Sequence, residues 1–345
     1  MTPPVPMRVG LIGAGMISHY HLIAWSRLGS ARVVAICDPD RTRAEARARE
    51  FGIAAVYASA EDMLAHEALD ALDIASPRER HAEQVRLAAA RGVPALCQKP
   101  LVPTYEEAER LIAEVDGKCR LMVHENWRFR PFYRRTRQWI DERRVGSLRS
   151  AAMTVRGSGL IAGADGRFPA LERQPFMRDV PRLAVTESLI HHIDVVRWLV
   201  GPLQVLAARI GRTCPVIKGE DRATIMMSSA DGVPVLVDGD MAAPGYPPRA
   251  VERLELTGTR ATILFEDKRL SLIGKDATME AFDLAACYQA SFDDCIRHFI
   301  ECLLLDAPFE TDPRDNLQTL RLVEDTYRLA GPIASSDGHR RPGCA

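Results

Sequence analysis

Between Arg8 and Asn126 the chain alternates short apolar runs with helix-length amphipathic segments, and this alternation constrains its fold more than any other feature. The runs are "RVGLIG", "ARVVAICD", "AAVYAS", "LDALDIAS", "VPALCQ" and "CRLMVHEN". Between them lie "MISHYHLIAWSRLG", a charged stretch from Asp40 to Phe51, "SAEDMLAHE", "RHAEQVRLAAARG" and a segment from Tyr105 to Asp116. Runs this short and apolar, separated by helices, specify βαβ units in a parallel sheet covered on both faces. Residues 1–126 are therefore expected to form a doubly wound, Rossmann-type α/β domain.

After Asn126 the pattern changes. A basic helix from about Pro131 to Arg144 leads into longer alternating segments, including "LRSAAMTVRG", "ATIMMSSADGVPVLVDGDMA" and "VERLELTGTRATILFED". Asp231-Gly232 is a strong hairpin signal and Gly258-Thr259 a weaker one, so the second sheet is expected to be antiparallel or mixed. Helices are expected over Thr186–Val200, Ser291–Leu305 and Pro313–Leu329. The expected division is 1–126, 127–334 and a polar tail over 335–345, and 345 residues suit two domains.

The net charge of −1 gives no support for a nucleic-acid or anionic-membrane partner. Eight scattered cysteines without a C-x-x-C pair read as reduced thiols. No apolar run reaches the ~18–20 residues of a membrane span, and the N-terminus lacks a signal-peptide layout, so a soluble cytoplasmic protein is expected.

"VGLIGAGMIS" places Gly13 and Gly15 between the first strand and the first helix, where a tight turn and a bare backbone admit a pyrophosphate at the helix N-terminus. Ser18 takes the third small position. Asp38 ends the second strand, where a carboxylate holds ribose hydroxyls and repels a 2′-phosphate, favouring NAD over NADP. Arg41 and Arg43 close behind moderate that preference.

Lys99 follows the strand "VPALCQ" and precedes Pro100, which restricts the backbone before it to extended geometry. Lys99 is either a solvated loop lysine or a group aimed at a ligand beyond the sheet's carboxyl edge. His81, after "SPRER", taken alone reads more readily as a surface or capping histidine than as a functional one. In "TESLIHHIDVVRWLVG", helical spacing puts Glu187, His191 and Asp194 on one face. Such a line is a structural network, part of an active site or, less readily, two metal ligands lacking a further His/Cys cluster.

Together, "GLIGAGMIS", "SPRERH", "QKP", "ESLIHHID" and the sheet-rich second half resemble the glucose–fructose oxidoreductase and inositol dehydrogenase family, Gfo/Idh/MocA, over nearly the whole chain. "QKP", "VHENWRFRP", "RQPF" and E-x-x-x-H look most like its branch containing D-apiose dehydrogenases. The resemblance implies a Rossmann domain followed by a domain built on a large open sheet that mediates homodimers or homotetramers. Lys99 matches the lysine of the family's Glu-Lys-Pro motif, whereas Gln98 replaces its glutamate. His191 and Asp194 match D-x-x-x-H-x-x-D, with Glu187 in place of the first aspartate.

The implied cofactor is NAD, contacted by Gly13, Gly15, Met16, Ile17 and Asp38 and, from later loops, by Ser76, Pro77, His81, Gln98 and Lys99. The implied catalytic residues are Lys99, His191 and Glu187, with no metal. His124, Asn126, Arg128, Arg173, Arg182 and Asp194 join Lys99, Glu187 and His191 as candidate contacts to a sugar or polyol. The implied activity is oxidation of a substrate hydroxyl by hydride transfer. The alternatives are a non-catalytic NAD(P)-bound sensor or regulator of the same fold, and a metal-dependent hydrolase.

Overall fold

The computed structural model describes residues 6–335, so the tail expected over 335–345 lies, after Ser335, outside the described residues. The chain divides into two compact units, residues 1–131 with 285–318, and 132–284 with 319–345.

In the first unit, strands β1 (Met7–Ile12), β2 (Ala31–Cys37), β3 (Ala55–Tyr57), β4 (Ala71–Ile74), β5 (Ala95–Gln98) and β6 (Leu121–His124) form one sheet. They alternate with helices α1 (Met16–Ser26), α2 (Arg41–Phe51), α3 (Ala60–His66), α4 (His81–Arg91) and α5 (Tyr105–Val115). The strand order is β3-β2-β1-β4-β5-β6 and all pairings are parallel. This order reverses between β1 and β4, and the carboxyl ends of strands at such a reversal are where doubly wound folds bind ligands. The helix ends are capped locally: Ser59 and Thr104 accept backbone N–H groups at the starts of α3 and α5, and left-handed Gly52 and Gly92 end α2 and α4.

The second unit holds α6 (Pro131–Asp141) from Phe132 onward, β7 (Leu148–Arg156), α7 (Pro169–Arg173) and α8 (Ile190–Val200). Its remaining strands are β8 (Leu203–Arg212), β9 (Arg222–Ser229), β10 (Pro234–Asp240), β11 (Val251–Gly258), β12 (Ala261–Glu266), β13 (Arg269–Gly274), β14 (Thr278–Ala281) and β15 (Ala334–Ser335). Among the described residues they build a nine-stranded, mostly antiparallel sheet, parallel only at β7–β10 and β8–β15. Asp231-Gly232 turns the β9–β10 hairpin, with Gly232 left-handed, and Thr259-Arg260 joins β11 to β12. Alternation is clear on β9 and β10: Ile225, Met227, Val235 and Val237 are buried, whereas Met226 and Leu236, paired across the strands, are exposed. Met279 on β14 and Ile273 on β13, further along the sheet, are also exposed.

The sequence reading assigns 127–334 to one domain, but the chain returns to the first unit for 285–318. The cause is α9 (Leu284–Leu304), whose Phe292, Cys295, Ile296, Phe299 and Ile300 pack with Val9, Ala71, Leu96 and Met122. It covers one side of the sheet, while Leu22, Ile36, Ala44 and Ala48 cluster with Leu11 separately. This helix starts seven residues before its expected beginning. Ser291, which reads as a helix start, is buried inside it and donates to the Tyr288 carbonyl at 2.7 Å. A last helix, α10 (Pro313–Ala330), follows. No helix among the described residues is long and apolar enough to cross a membrane.

Candidate active site

The first constellation lies at the strand-order reversal. Gly13 leaves β1 with φ +102°, where a Cβ would stand 2.7 Å from the Ala75 carbonyl oxygen, so the position requires glycine. Its neighbour Ala14 donates its N–H to Asp38 Oδ2 at 2.7 Å, and Asp38 Oδ1 accepts from Asp40 N at 2.8 Å. The carboxylate is thereby held against the turn. Gly15 opens α1 with no side-chain cap, and the volume a Cβ would take is empty for 4 Å. The unblocked helix start, bare glycine and adjacent half-buried carboxylate fit a dinucleotide whose pyrophosphate faces α1. Ser18 suits the third position because it is fully buried and its hydroxyl donates to the Gly15 carbonyl at 2.7 Å.

Met16 is exposed at the start of α1 and Ile17 half-buried beside it. Arg41 and Arg43, which lie behind Asp38, pair with Glu45 and Asp40, both at 2.7 Å. Such surface pairs are weak, yet they engage the two cations that would otherwise welcome a 2′-phosphate. Ser76 and exposed Pro77 follow β4, and the Ser76 hydroxyl donates to Gln84.

His81 is almost wholly buried, with Nδ1 3.0 Å from the Pro100 carbonyl and Nε2 2.9 Å from that of Ser76. It staples the loop after β4 to the loop after β5, which corrects the expectation that it touches the cofactor. Burial lowers its pKa, with the carbonyl contacts opposing that shift. The Lys99–Pro100 peptide is cis and Lys99 is half-buried.

Three candidate substrate contacts from this unit are corrected by burial. His124 is fully enclosed, Asn126 donates to Ser291 Oγ at 2.8 Å, and Arg128 pairs with Asp315 inside the unit. "HENWRFRP" thus fastens β6 to α9 and the start of α10. Its polar residues look like ligands in sequence because nothing nearby in the chain reveals their remote partners.

The second constellation belongs to the other unit. The helix expected over Thr186–Val200 begins as a π-helical turn, Ala184–Leu189, and becomes α-helical only at Ile190. The i→i+5 winding changes the face of Glu187 relative to regular helical spacing, and such turns concentrate at functional sites. His191 and Asp194 keep their i,i+3 relation within α8. Glu187 is half-buried and His191 nearly buried. Asp194 is completely enclosed, accepting from Thr319 Oγ1 at 2.7 Å and Arg197 Nη2 at 3.3 Å, and so is corrected from substrate contact to anchor of α8.

The sequence reading overlooks Glu220. Its carboxylate accepts the N–H groups of Leu183 and Val185 at 3.2 and 3.0 Å, and the Tyr327 hydroxyl at 2.7 Å. Burial raises its pKa and these donors pull it back. Glu220 thus fixes the entrance to the π-turn carrying Glu187. An acidic pair, Glu220-Asp221, just before an alternating strand was the available signal. Arg182 is held bidentately by Glu324 at 2.6 and 3.1 Å, whereas Arg173 ends α7 exposed. Among the described residues no group of three His, Cys, Asp or Glu side chains is placed to hold a metal.

Comparison with known proteins agrees with both units. The model described as an oxidoreductase family with an NAD-binding Rossmann fold matches residues 7–125, and that of the GFO/IDH/MocA C-terminal domain matches 133–264. A D-apiose dehydrogenase of Paraburkholderia graminis is 34% identical over 93% of this chain and 86% of its own length. A second, from Rhizobium rhizogenes, is 28% identical over 94% and 95%. The crystal structure of an oxidoreductase from Agrobacterium radiobacter in complex with NAD+, L-tartaric acid and magnesium superposes with a TM-score of 0.88 at 28% identity, covering 94% of this chain and 96% of that one.

Proposed function

Because the chain belongs to the Gfo/Idh/MocA oxidoreductase family, with its NAD-binding Rossmann domain, we propose that it oxidises a hydroxyl of a sugar, polyol or sugar-derived substrate. The observation that carries this reading is half-buried Lys99 at the carboxyl end of β5, in the same sheet whose β1–β4 reversal holds Gly13, Gly15 and Asp38. Met16, Ile17, Ser76, Pro77 and Gln98 complete the cofactor side. NAD, when bound, supplies the hydride acceptor.

Lys99 polarises the reacting oxygen and stabilises the negative charge it gains as its proton leaves. His191 takes that proton on an imidazole nitrogen, since imidazole titrates near neutrality, and Glu187 orients the ring. Arg173 and Arg182 contribute to holding the substrate. The D-apiose dehydrogenase relatives point to a small sugar. A panel of D-apiose, other aldoses and polyols with NAD, followed by NADH absorbance, tests the reading. Turnover of at least one sugar is expected, and no turnover of any member, with NAD bound, would favour the sensor alternative.

Asp38→Ala is expected to weaken NAD binding about tenfold or more, through loss of charge-assisted ribose hydrogen bonds. Cofactor titration by fluorescence checks this, and unchanged affinity would remove Asp38 from the ribose site.

The same reading includes a homo-oligomer formed through the open face of the second sheet, where Met226, Leu236, Ile273 and Met279 stand exposed. It also includes a cytoplasmic location, in keeping with the free thiols of Cys37, Cys97, Cys119, Cys214 and Cys302.

A further inference from the structure

Behind Lys99 lies a buried polar chain. Asp73 in the middle of β4 is fully enclosed, and its Oδ2 accepts from Trp25 Nε1 at 2.6 Å and stands 2.8 Å from His21 Nδ1. On the other side of His21, Nε2 lies 3.0 Å from the side-chain nitrogen of Gln98, which is also 3.3 Å from His124 Nδ1. The Gln98 side-chain oxygen accepts the backbone N–H of Lys99 at 2.8 Å.

The proton positions follow by elimination. A backbone N–H only donates, so the Gln98 oxygen faces Lys99 and its NH₂ faces both imidazoles. Each imidazole then presents a lone pair to Gln98. His21 carries its proton on Nδ1, toward Asp73, and His124 carries its own on Nε2, which is buried without a hydrogen-bond partner among the described residues. Both rings are neutral, as suits centroids only 4.3 Å apart. Burial and the neighbouring His21 also hold the His124 pKa well below its ordinary value. The other groups facing His21 are the Phe292 ring on α9 and, near Asp73, the Cys97 thiol, which burial keeps protonated.

We propose that Gln98 is a positioning residue: its two amide protons lock His21 and His124 as neutral rings, and its oxygen thereby holds the Lys99 backbone in one state across the working pH range. A glutamate here would accept from Lys99 but offer no proton to either ring. His124 would meet it by moving its proton to Nδ1. His21, whose Nδ1 proton is committed to Asp73, would have to gain a second one. Exchange of glutamate for glutamine therefore removes one proton from the buried chain. The consequence for turnover rests on the proposed role of Lys99, whereas the proton inventory does not.

The test is Gln98→Glu, read in two ways. In ¹⁵N-histidine-labelled wild-type protein, two buried neutral rings of opposite tautomer are expected, unchanged between about pH 6 and about pH 9. They are assigned by their absence from His21→Gln and His124→Gln. In Gln98→Glu, His21 is expected as an imidazolium at the acid end. In kinetics, the variant-to-wild-type ratio of kcat is expected to fall about tenfold between the same limits as that proton is lost, and the ratio cancels titration at His191. Titration of either ring in the wild type would overturn the proposal even if the variant fails to fold, as would a variant with neutral His21 and a flat ratio. If Lys99 had no part in turnover, Lys99→Ala would stay active while the spectra came out as stated, so the two failures are distinguishable.

Discussion

Lys99→Ala is expected to lower kcat about 10³-fold while leaving NAD affinity within about twofold, as befits loss of a preorganised charge at the reacting oxygen. The split follows from the fold. The nucleotide-binding residues Gly13 and Gly15 lie in the turn between β1 and α1, and Asp38 directly follows β2, whereas Lys99 follows β5. The Ala14–Asp38 contact that holds the glycine turn is made within its own loops. Stopped-flow turnover with parallel cofactor titration checks both halves. Activity within tenfold of wild type would show that the lysine does not stabilise the transition state. Lys99→Arg is a useful companion, because it keeps the charge but replaces a compact ammonium with a planar fork.

His191→Ala is expected to cost about 10²- to 10⁴-fold in kcat, the range for removing a general base. The ring is nearly buried in the first turn of α8, a helix that Asp194 fixes through Thr319 and Arg197, so truncation leaves that anchor intact. Proton removal limits the variant, so activity is expected to rise with pH and to recover partly with added imidazole. Circular dichroism and NAD binding should stay as in the wild type. A fall in kcat without either rescue would reassign His191 to substrate binding alone.

The nucleotide half was legible because its signals are local. "GLIGAG" requires a positive φ at Gly13, and strands buried on both faces read as continuous apolar runs. The fate of polar residues was not legible. His124, Asn126, Arg128 and Asp194 have the chemistry of ligands, and only remote partners make them structural: Ser291, Asp315 and Thr319 lie 165, 187 and 125 positions from Asn126, Arg128 and Asp194. The π-turn was missed for another reason. Helical periodicity over "TESLIHHID" fits α-winding, and the wider turn depends on the Glu220 carboxylate receiving Leu183 and Val185. His21 and Asp73 did leave a mark, an aspartate inside the apolar run "LDALDIAS", but its meaning needs α1 beside it.

The return of α9 to the first unit has a consequence for how the protein is made. On a ribosome the nucleotide sheet is complete by His124, yet the side that receives Phe292, Ile296 and Phe299 stays bare until those residues emerge. The pairing of Arg27 with Asp293 spans 266 positions of chain. During that interval Val9, Ala71, Leu96 and Met122 form an exposed apolar surface, the kind that recruits chaperones or aggregates. Removing the last 61 residues, 285–345, would therefore leave the Rossmann half exposed although every strand of its sheet is present.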